Sequence, residues 1–203
     1  MGEIFITSDL HLMHNKDFLY KPRGFSSTEE MCEIIVERWN SIVKPEDTIY
    51  NLGDLALSNI DAAIPYIKRL NGFQWWIRGN HCTLNKVKKI CEECKNISTI
   101  SNPEASWATM FKSGKKSFFL CHYPTIVNNT NDKPVYCLCG HTHTKNKWED
   151  FDKGCYHVEM DAHDCYPVSL EEIISDINSR KNEFILPKDT EFKIPIGKEK
   201  KTI

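Results

Sequence analysis

Short runs of apolar, β-branched and aromatic residues alternate along the chain with segments whose apolar positions recur at helical spacing. EIFITS (3–8) has the density of a buried strand. In TEEMCEIIVERWNSIV (28–43), Met31, Ile34, Ile35, Trp39 and Ile42 fall near one face of a helix. Ser27 or Thr28 offers its cap, Glu29 and Glu30 suit its first turn, and Pro45 follows its end. DTIYNLG (47–53) predicts a strand, 59–70 a helix with Pro65 awkward in its interior, FQWWIRG (73–79) a strand and 83–94 a basic helix. ISTIS (97–101) and WATMF (107–111) predict further strands, the second turning at Ser113-Gly114 into KSFFLCH (116–122). VYCLCG (135–140) and YHVEMD (156–161) predict strands, and SLEEIISDINSR (169–180) a helix whose Ser169 and Glu172 form a capping box. The alternation predicts an α/β architecture with helices covering sheets. Residues 1–186 contain no repeat, low-complexity tract or linker and read as a single domain; the lysine-rich 187–203 reads as a loosely packed basic tail.

The polar residues that follow these strands carry the chemistry. Asp9 and His11 follow the first, Gly53 and Asp54 the second, and Gly79, Asn80 and His81 the third. His122 closes KSFFLC, and Gly140, His141, Thr142 and His143 follow VYCLC. Five strands each deliver Asp, Asn or His at a C-terminal end, the edge where open α/β sheets build sites. Asp9 and His11 are two apart, as are His141 and His143, so an extended chain would point each pair one way. Carboxylates, imidazoles and one amide carbonyl make an oxygen and nitrogen donor set suited to Mn, Fe, Zn or similar divalent ions. One carboxylate can bridge two ions, and seven donors on five strands suit two metals better than one. Paired metals about 3.5–4 Å apart are a usual device for phosphoryl transfer. Asp9-x-His11, Gly53-Asp54 and GNH each read alone as incidental or structural more often than not, and GHTH alone is evenly balanced; their joint occurrence in order reads as functional.

Composition narrows the remaining classes. A net charge of −2 and 40% hydrophobic residues fit a globular protein without general affinity for nucleic acid. No apolar run reaches the roughly 20 residues that span a bilayer, and the N-terminus lacks a basic region and a signal-peptide core, so a cytoplasmic location is expected. Nine cysteines are then expected as reduced thiols, several buried as small apolar residues. Cys91 and Cys94 form one CxxC on a helical stretch, with no second pair to complete a zinc site.

The order D-x-H … G-D … G-N-H … H … G-H-x-H, from residue 7 to residue 143, resembles the calcineurin-like metallophosphoesterase superfamily. TSDLHLMHN, ERWNSIVKPEDTIYNLGD and YPVSLEEI look like a small bacterial and phage branch. The resemblance implies a four-layer α-β-β-α sandwich: two mixed sheets packed face to face with helices outside. It implies that Asp9, His11 and His143 hold a first metal, that Asn80, His122 and His141 hold a second, and that Asp54 bridges. His81 then faces the leaving-group oxygen as the catalytic acid. The implied cofactor is a pair of divalent ions, Mn²⁺ foremost, with Fe, Zn, Ni and Co as alternatives. The implied activity is hydrolysis of a phosphate ester, a diester foremost; a monoesterase, a dinucleotide polyphosphate hydrolase and a non-catalytic scaffold are the alternatives. The implied partner is a small or nucleotide-like ester, with no membrane and no dedicated nucleic-acid-binding domain.

One departure stands out. The family usually places Asp or Glu after the GNH histidine, and here Cys82 follows, a poor hydrogen-bond acceptor. Asp17, Asp61 or Glu104 could supply the missing acid. For the substrate, His14 and Asn15 follow the first motif closely enough to reach over the metals, and Arg23 in KPRGF could meet a phosphate bidentately. Arg78 and His163 are weaker candidates for the site. Trp75 and Trp76 read as packing, His157 as structural, and Lys86, Lys88 and Lys89 as a solvated helix face.

Overall fold

The structure, a computed structural model, describes residues 2–57, 59–100, 105–125, 127, 135–149 and 154–180. In the first sheet, β1 (Ile4–Thr7), β2 (Thr48–Asn51), β3 (Phe73–Trp76) and β4 (Ile97–Thr99) run parallel in the order β4-β3-β2-β1. The second sheet has the order β5-β6-β7-β8. A hairpin of β5 (Ala108–Ser113) and β6 (Lys116–Cys121) is continued in parallel by β7 (Val135–Cys139) and β8 (Cys155–His157). A two-residue β9 (Val168–Ser169) pairs antiparallel with the outer side of β1, which the sequence pattern did not predict. Five α-helices complete the described residues: α1 (Asp17–Tyr20), α2 (Thr28–Ile42), α3 (Ile60–Ile67), α4 (Leu84–Glu93) and α5 (Leu170–Ser179). The result is the expected sandwich of two mixed sheets flanked by helices.

Alternation along the strands sorts the side chains into layers. Phe5, Ile49, Trp76 and Ile97 face helices α2 to α4, where Met31, Ile35, Trp39, Ala63, Ile67, Val87 and Ile90 are buried. Ile6, Leu52, Ile77, Phe118, Leu120, Tyr136, Leu138 and Tyr156 fill the space between the sheets and meet Ile173 and Ile177 of α5. The far face of the second sheet carries Cys121, Cys137, Cys139 and Cys155. Trp76 is buried, whereas Trp75 stands 37% exposed against Phe73. The predicted caps form: Ser27 Oγ accepts from the Glu30 N–H and Ser169 Oγ from the Glu172 N–H, both at 3.1 Å. Pro65 lies inside α3, two residues before its end, and leaves the Asp61 carbonyl without its helical N–H donor.

The strands stop earlier than the apolar runs suggest. β2 ends at Asn51, whose side-chain oxygen accepts from the Gly53 N–H at 3.1 Å and folds the chain over the sheet edge. β8 ends at His157, and residues 160–163 form a 3-10 turn. Glu104, the expected tail 187–203 and the domain limit at residue 186 lie outside the described residues.

Candidate metal centre

All five strand ends meet at one edge, and after β1, β2 and β7 the backbone there is not extended. Asp9, His11, Asp54, His141 and His143 have φ of 59°, 50°, 51°, 76° and 52°, left-handed values that non-glycine residues rarely adopt. This corrects the expectation that Asp9/His11 and His141/His143 align by strand alternation. Alternate left-handed residues coil the chain instead. The coil is held by main-chain bonds from the Asp9, His11 and Leu12 N–H groups to the Gly53, Asp54 and Leu55 carbonyls at 2.9–3.0 Å. Such strain persists only where surrounding structure dictates it, and it concentrates at functional sites.

Two glycines let the segments close up. A Cβ on Gly79 would lie 2.2 Å from Asp54 Oδ1, and one on Gly140 would lie 2.3 Å from both Asp9 Oδ2 and Ser8 Oγ. These glycines are therefore the places where main chain packs directly against a carboxylate.

The side chains converge in two groups. In the first, His11 Nε2 and His143 Nε2 are 3.1 Å apart, with Asp9 Oδ1 at 3.5 and 3.8 Å from them. In the second, Asn80 Oδ1 lies 2.8 Å from His122 Nε2 and 3.0 Å from His141 Nδ1. Asp54 stands between the groups, with Oδ2 at 4.0 Å from His11 Nε2 and 3.5 Å from His122 Nε2.

These contacts bring acceptors together. His122 Nδ1 donates to the Leu52 carbonyl at 3.0 Å, so the neutral ring presents a lone pair at Nε2 to the Asn80 oxygen. His143 Nδ1 donates to Asp161 Oδ2 at 2.8 Å, so whenever the ring is neutral its Nε2 carries the lone pair toward His11. Asp9 Oδ1 is buried without a hydrogen-bond partner. Converging lone pairs need a cation between them. Two donors each about 2.1 Å from one ion, at right angles, stand roughly 3.0 Å apart, which matches the 2.8–3.1 Å separations found in both groups. The donor set thus fits two divalent ions, with no thiolate in either group.

Protonation follows the same logic. Burial raises the Asp9 carboxyl, but the His11 imidazole 3.5 Å away and the charges of His122 and His143 outweigh it and hold Asp9 below the usual carboxylate range. Burial lowers His11. Burial also works against charge on His143, yet the Asp161 hydrogen bond and the Asp9 charge raise it above the ordinary imidazole value.

The substrate candidates fare differently. His14 is buried to 8% exposure and lines a cleft of about 390 Å³ with His11, Phe18, Leu19, Asp54, Leu57, Asn80, His81, His141 and His143. Its ring meets Phe18 edge-on at 5.7 Å. Asn15 is exposed and does not line that cleft. Arg23 is corrected outright: it is no free loop cation. Its guanidinium grips Asp161 through Nε at 3.0 Å and Nη2 at 2.6 Å, and donates to the carbonyls of Asp9 at 2.8 Å and Leu10 at 3.2 Å. Its fifth N–H points at Met31 Sδ at 3.7 Å, and with a side chain 1% exposed it has no donor left for a phosphate.

His81 stands exposed at the cleft, its ring 5.9 Å from that of His11 and its main-chain N–H bonded to Asp54 Oδ1 at 3.1 Å. Cys82 does not take over the role of the usual acid. Its thiol turns away, toward Asp54 Oδ1 at 3.6 Å, and burial followed by the Asp54 charge pushes it up to about 12. Asp17 is bonded to Tyr20 and Lys21, and Asp61 pairs with Lys89, so neither holds His81. Arg78 donates to the Cys82 carbonyl at 3.2 Å and packs on Trp107, and His163 bonds the His157 carbonyl at 2.9 Å; both brace loops. His157 is buried beside Thr142 and Glu159, a structural placement.

Sequence reasoning missed Asp161. Its signal was its position, since it follows β8 as the other site residues follow their strands, but a short strand and a 3-10 turn obscured it. Ser8 was missed too; its hydroxyl donates to Asp9 Oδ2 at 2.6 Å.

Comparison with known proteins agrees with this arrangement. The calcineurin-like phosphoesterase family profile matches residues 2–197. An uncharacterized protein of Methanocaldococcus jannaschii is 35% identical over 184 residues, 89% of this chain and 94% of that protein. The gene 66 protein of Mycobacterium phage D29 is 24% identical over 198 residues, 87% of this chain and 98% of that protein. The crystal structure of a protein of unknown function from Aquifex aeolicus superposes with a TM-score of 0.65 at 21% identity, covering 87% of this chain and all of the other, a likeness of fold.

Proposed function

The chain belongs to the calcineurin-like phosphoesterases, metal-dependent hydrolases of phosphate esters, and from that premise we propose that it is a phosphodiesterase acting on a small or nucleotide-like ester with Mn²⁺ as its preferred ion. The carrying observation is the composition of the cleft wall. Its described lining has imidazoles, one amide, one carboxylate and the apolar side chains of Phe18, Leu19 and Leu57, and contains neither lysine nor arginine. A monoester dianion calls for a cationic clamp on its non-bridging oxygens. A diester carries one charge and offers a second organic arm, which an apolar wall accommodates.

In this reading, Asp9, His11 and His143 hold one ion, Asn80, His122 and His141 the other, and Asp54 both. Bound there, the ions withdraw charge from phosphoryl oxygens and lower the pKa of an attacking water. The protein does the remainder. Asp161 and Leu52 fix which nitrogen His143 and His122 present. The N–H of His81, the N–H of His141 and the Ser8 hydroxyl orient the two carboxylates. His81, tied at its backbone and free at its ring, delivers a proton to the departing oxygen. His14 and Phe18 flank the ester arm. Residues 1–186 act as one domain. No helix among the described residues is long and apolar enough to cross a membrane, and all nine cysteines are free, which suits a reducing, cytoplasmic setting.

The test compares hydrolysis of bis(p-nitrophenyl) phosphate and p-nitrophenyl phosphate by metal-stripped protein with and without Mn²⁺. Mn²⁺-dependent cleavage favouring the diester, and lost in His81→Ala, is expected. Preference for the monoester would refute the diesterase assignment.

A further inference from the structure

Pleating sends four cysteines to one side of the second sheet. Cys137 and Cys139 are two apart on β7, Cys155 pairs with Cys137 across β8, and Cys121 ends β6 on the other side. Among the described residues, every buried member of the hydrophobic cluster on that face is one of these cysteines; Ala108, Phe119 and Val127 border it. The inner faces of the same strands are filled with Phe118, Leu120, Tyr136, Leu138 and Tyr156, which is how an ordinary apolar layer is built. The sulfurs also gather. Those of Cys137, Cys139 and Cys155 lie within 4.8 Å of one another, and Cys121 Sγ is 3.7 Å from Cys137 Sγ.

We propose that this face holds a soft, thiophilic metal ion, bound by the thiolates of Cys137, Cys139 and Cys155 with Cys121 beside them, distinct from the hydrolytic centre. Three sulfurs each about 2.3 Å from an ion at their centre stand roughly 4.0 Å apart, so small side-chain rotations close the set. Thiolates select Cu(I), Zn²⁺ and similar soft ions over the harder ions suited to carboxylate and imidazole. Cys137 and Cys139 are fully buried, so their sulfurs are out of reach of bulk water. That favours an ion content with three sulfurs, Cu(I) foremost. The chemistry balances simply: each thiol that becomes a ligand releases its proton to solvent and no electron moves. At present the outer thiols donate weakly to carbonyl oxygens, Cys121 to Tyr123 at 3.0 Å and Cys155 to Thr125 at 3.6 Å. Binding would exchange those contacts for metal–sulfur bonds and clamp β6, β7 and β8 together immediately behind His122 and His141.

Sulfur-to-metal charge transfer separates the two sites, because neither donor group of the hydrolytic centre contains a thiolate. Reduced, metal-stripped protein is titrated anaerobically with Cd²⁺ and, separately, with Cu(I). One equivalent of each is expected to produce an ultraviolet charge-transfer band. The band should vanish in Cys137→Ser and Cys155→Ala, and persist in Cys82→Ser and Cys91→Ser. X-ray absorption at the metal edge of the unaltered protein needs no variant and should show a first shell containing about three sulfurs. Absence of a band, a band indifferent to Cys137 and Cys155, or a first shell without sulfur overturns the proposal. The readout does not depend on turnover, so it stands apart from the phosphodiesterase assignment.

Discussion

Replacing Gly79 by alanine tests whether main chain and carboxylate are packed as tightly as the centre demands. Gly79 does not have a positive φ, so alanine suits its backbone and the effect is purely one of space. The new Cβ would stand 2.2 Å from Asp54 Oδ1, 2.7 Å from its Cγ and 2.8 Å from its backbone N. The closest contact is about 0.8 Å inside the 3.0 Å that real Cβ atoms respect. Asp54 cannot rotate away cheaply, because it is buried and accepts from the His81 N–H and the Cys82 thiol. Overpacking of this kind costs roughly 1–3 kcal/mol. For a chain of this size that lowers the melting temperature by roughly 2–12 °C. The larger effect falls on function: displacing a reacting constellation by about 1 Å costs on the order of 100-fold in rate. The assay is Mn²⁺-dependent diester hydrolysis beside metal content and thermal melting. Gly114→Ala serves as control, since nothing lies within 4 Å of its added Cβ and only the left-handed φ of 55° is penalised. The control should lose a little stability and no activity. A Gly79→Ala protein with two ions per chain and unimpaired turnover would refute the packing argument.

Three further outcomes follow from the structure. Arg23→Met leaves Asp161 buried with His143 as its remaining partner and should cost about 3–5 kcal/mol in denaturant unfolding; unchanged stability with a raised KM would restore Arg23 as a substrate cation. Asp161→Asn weakens the acceptor that orients His143 and should lower metal affinity about 10–100-fold with the fold retained, measured by competition with a chelator. His14 is held near a pKa of about 4 by burial, then by His11, His81, Lys16 and His143, while the unfolded chain takes up that proton near 6.5. Its contribution to stability is therefore full above pH 6.5, falls as pH drops toward 4 and then levels off, and His14→Gln should flatten that part of the unfolding curve of metal-free protein.

Much of this molecule is legible in one dimension. The strands and helices follow from apolar spacing, and the caps at Ser27 and Ser169 from local hydrogen bonding, because both depend on residues within a few positions of one another. The order of Asp, Asn and His after successive strands marks the site, since parallel strands in a sheet place their C-terminal ends along one edge. Tertiary structure decided what depends on distant partners or on backbone geometry that pattern does not encode. Asp161 and Arg23 are 138 residues apart, and only their burial together turned an expected phosphate ligand into the support of His143. The left-handed coil at Asp9 and His11 is imposed by main-chain bonds to residues 53 and 54, against local preference. Cys82 faces Asp54 rather than His81, a direction set by packing around the Gly79 turn. Four cysteines scattered over 35 positions became one cluster because strand register and pleat, not sequence spacing, determine which side chains share a face.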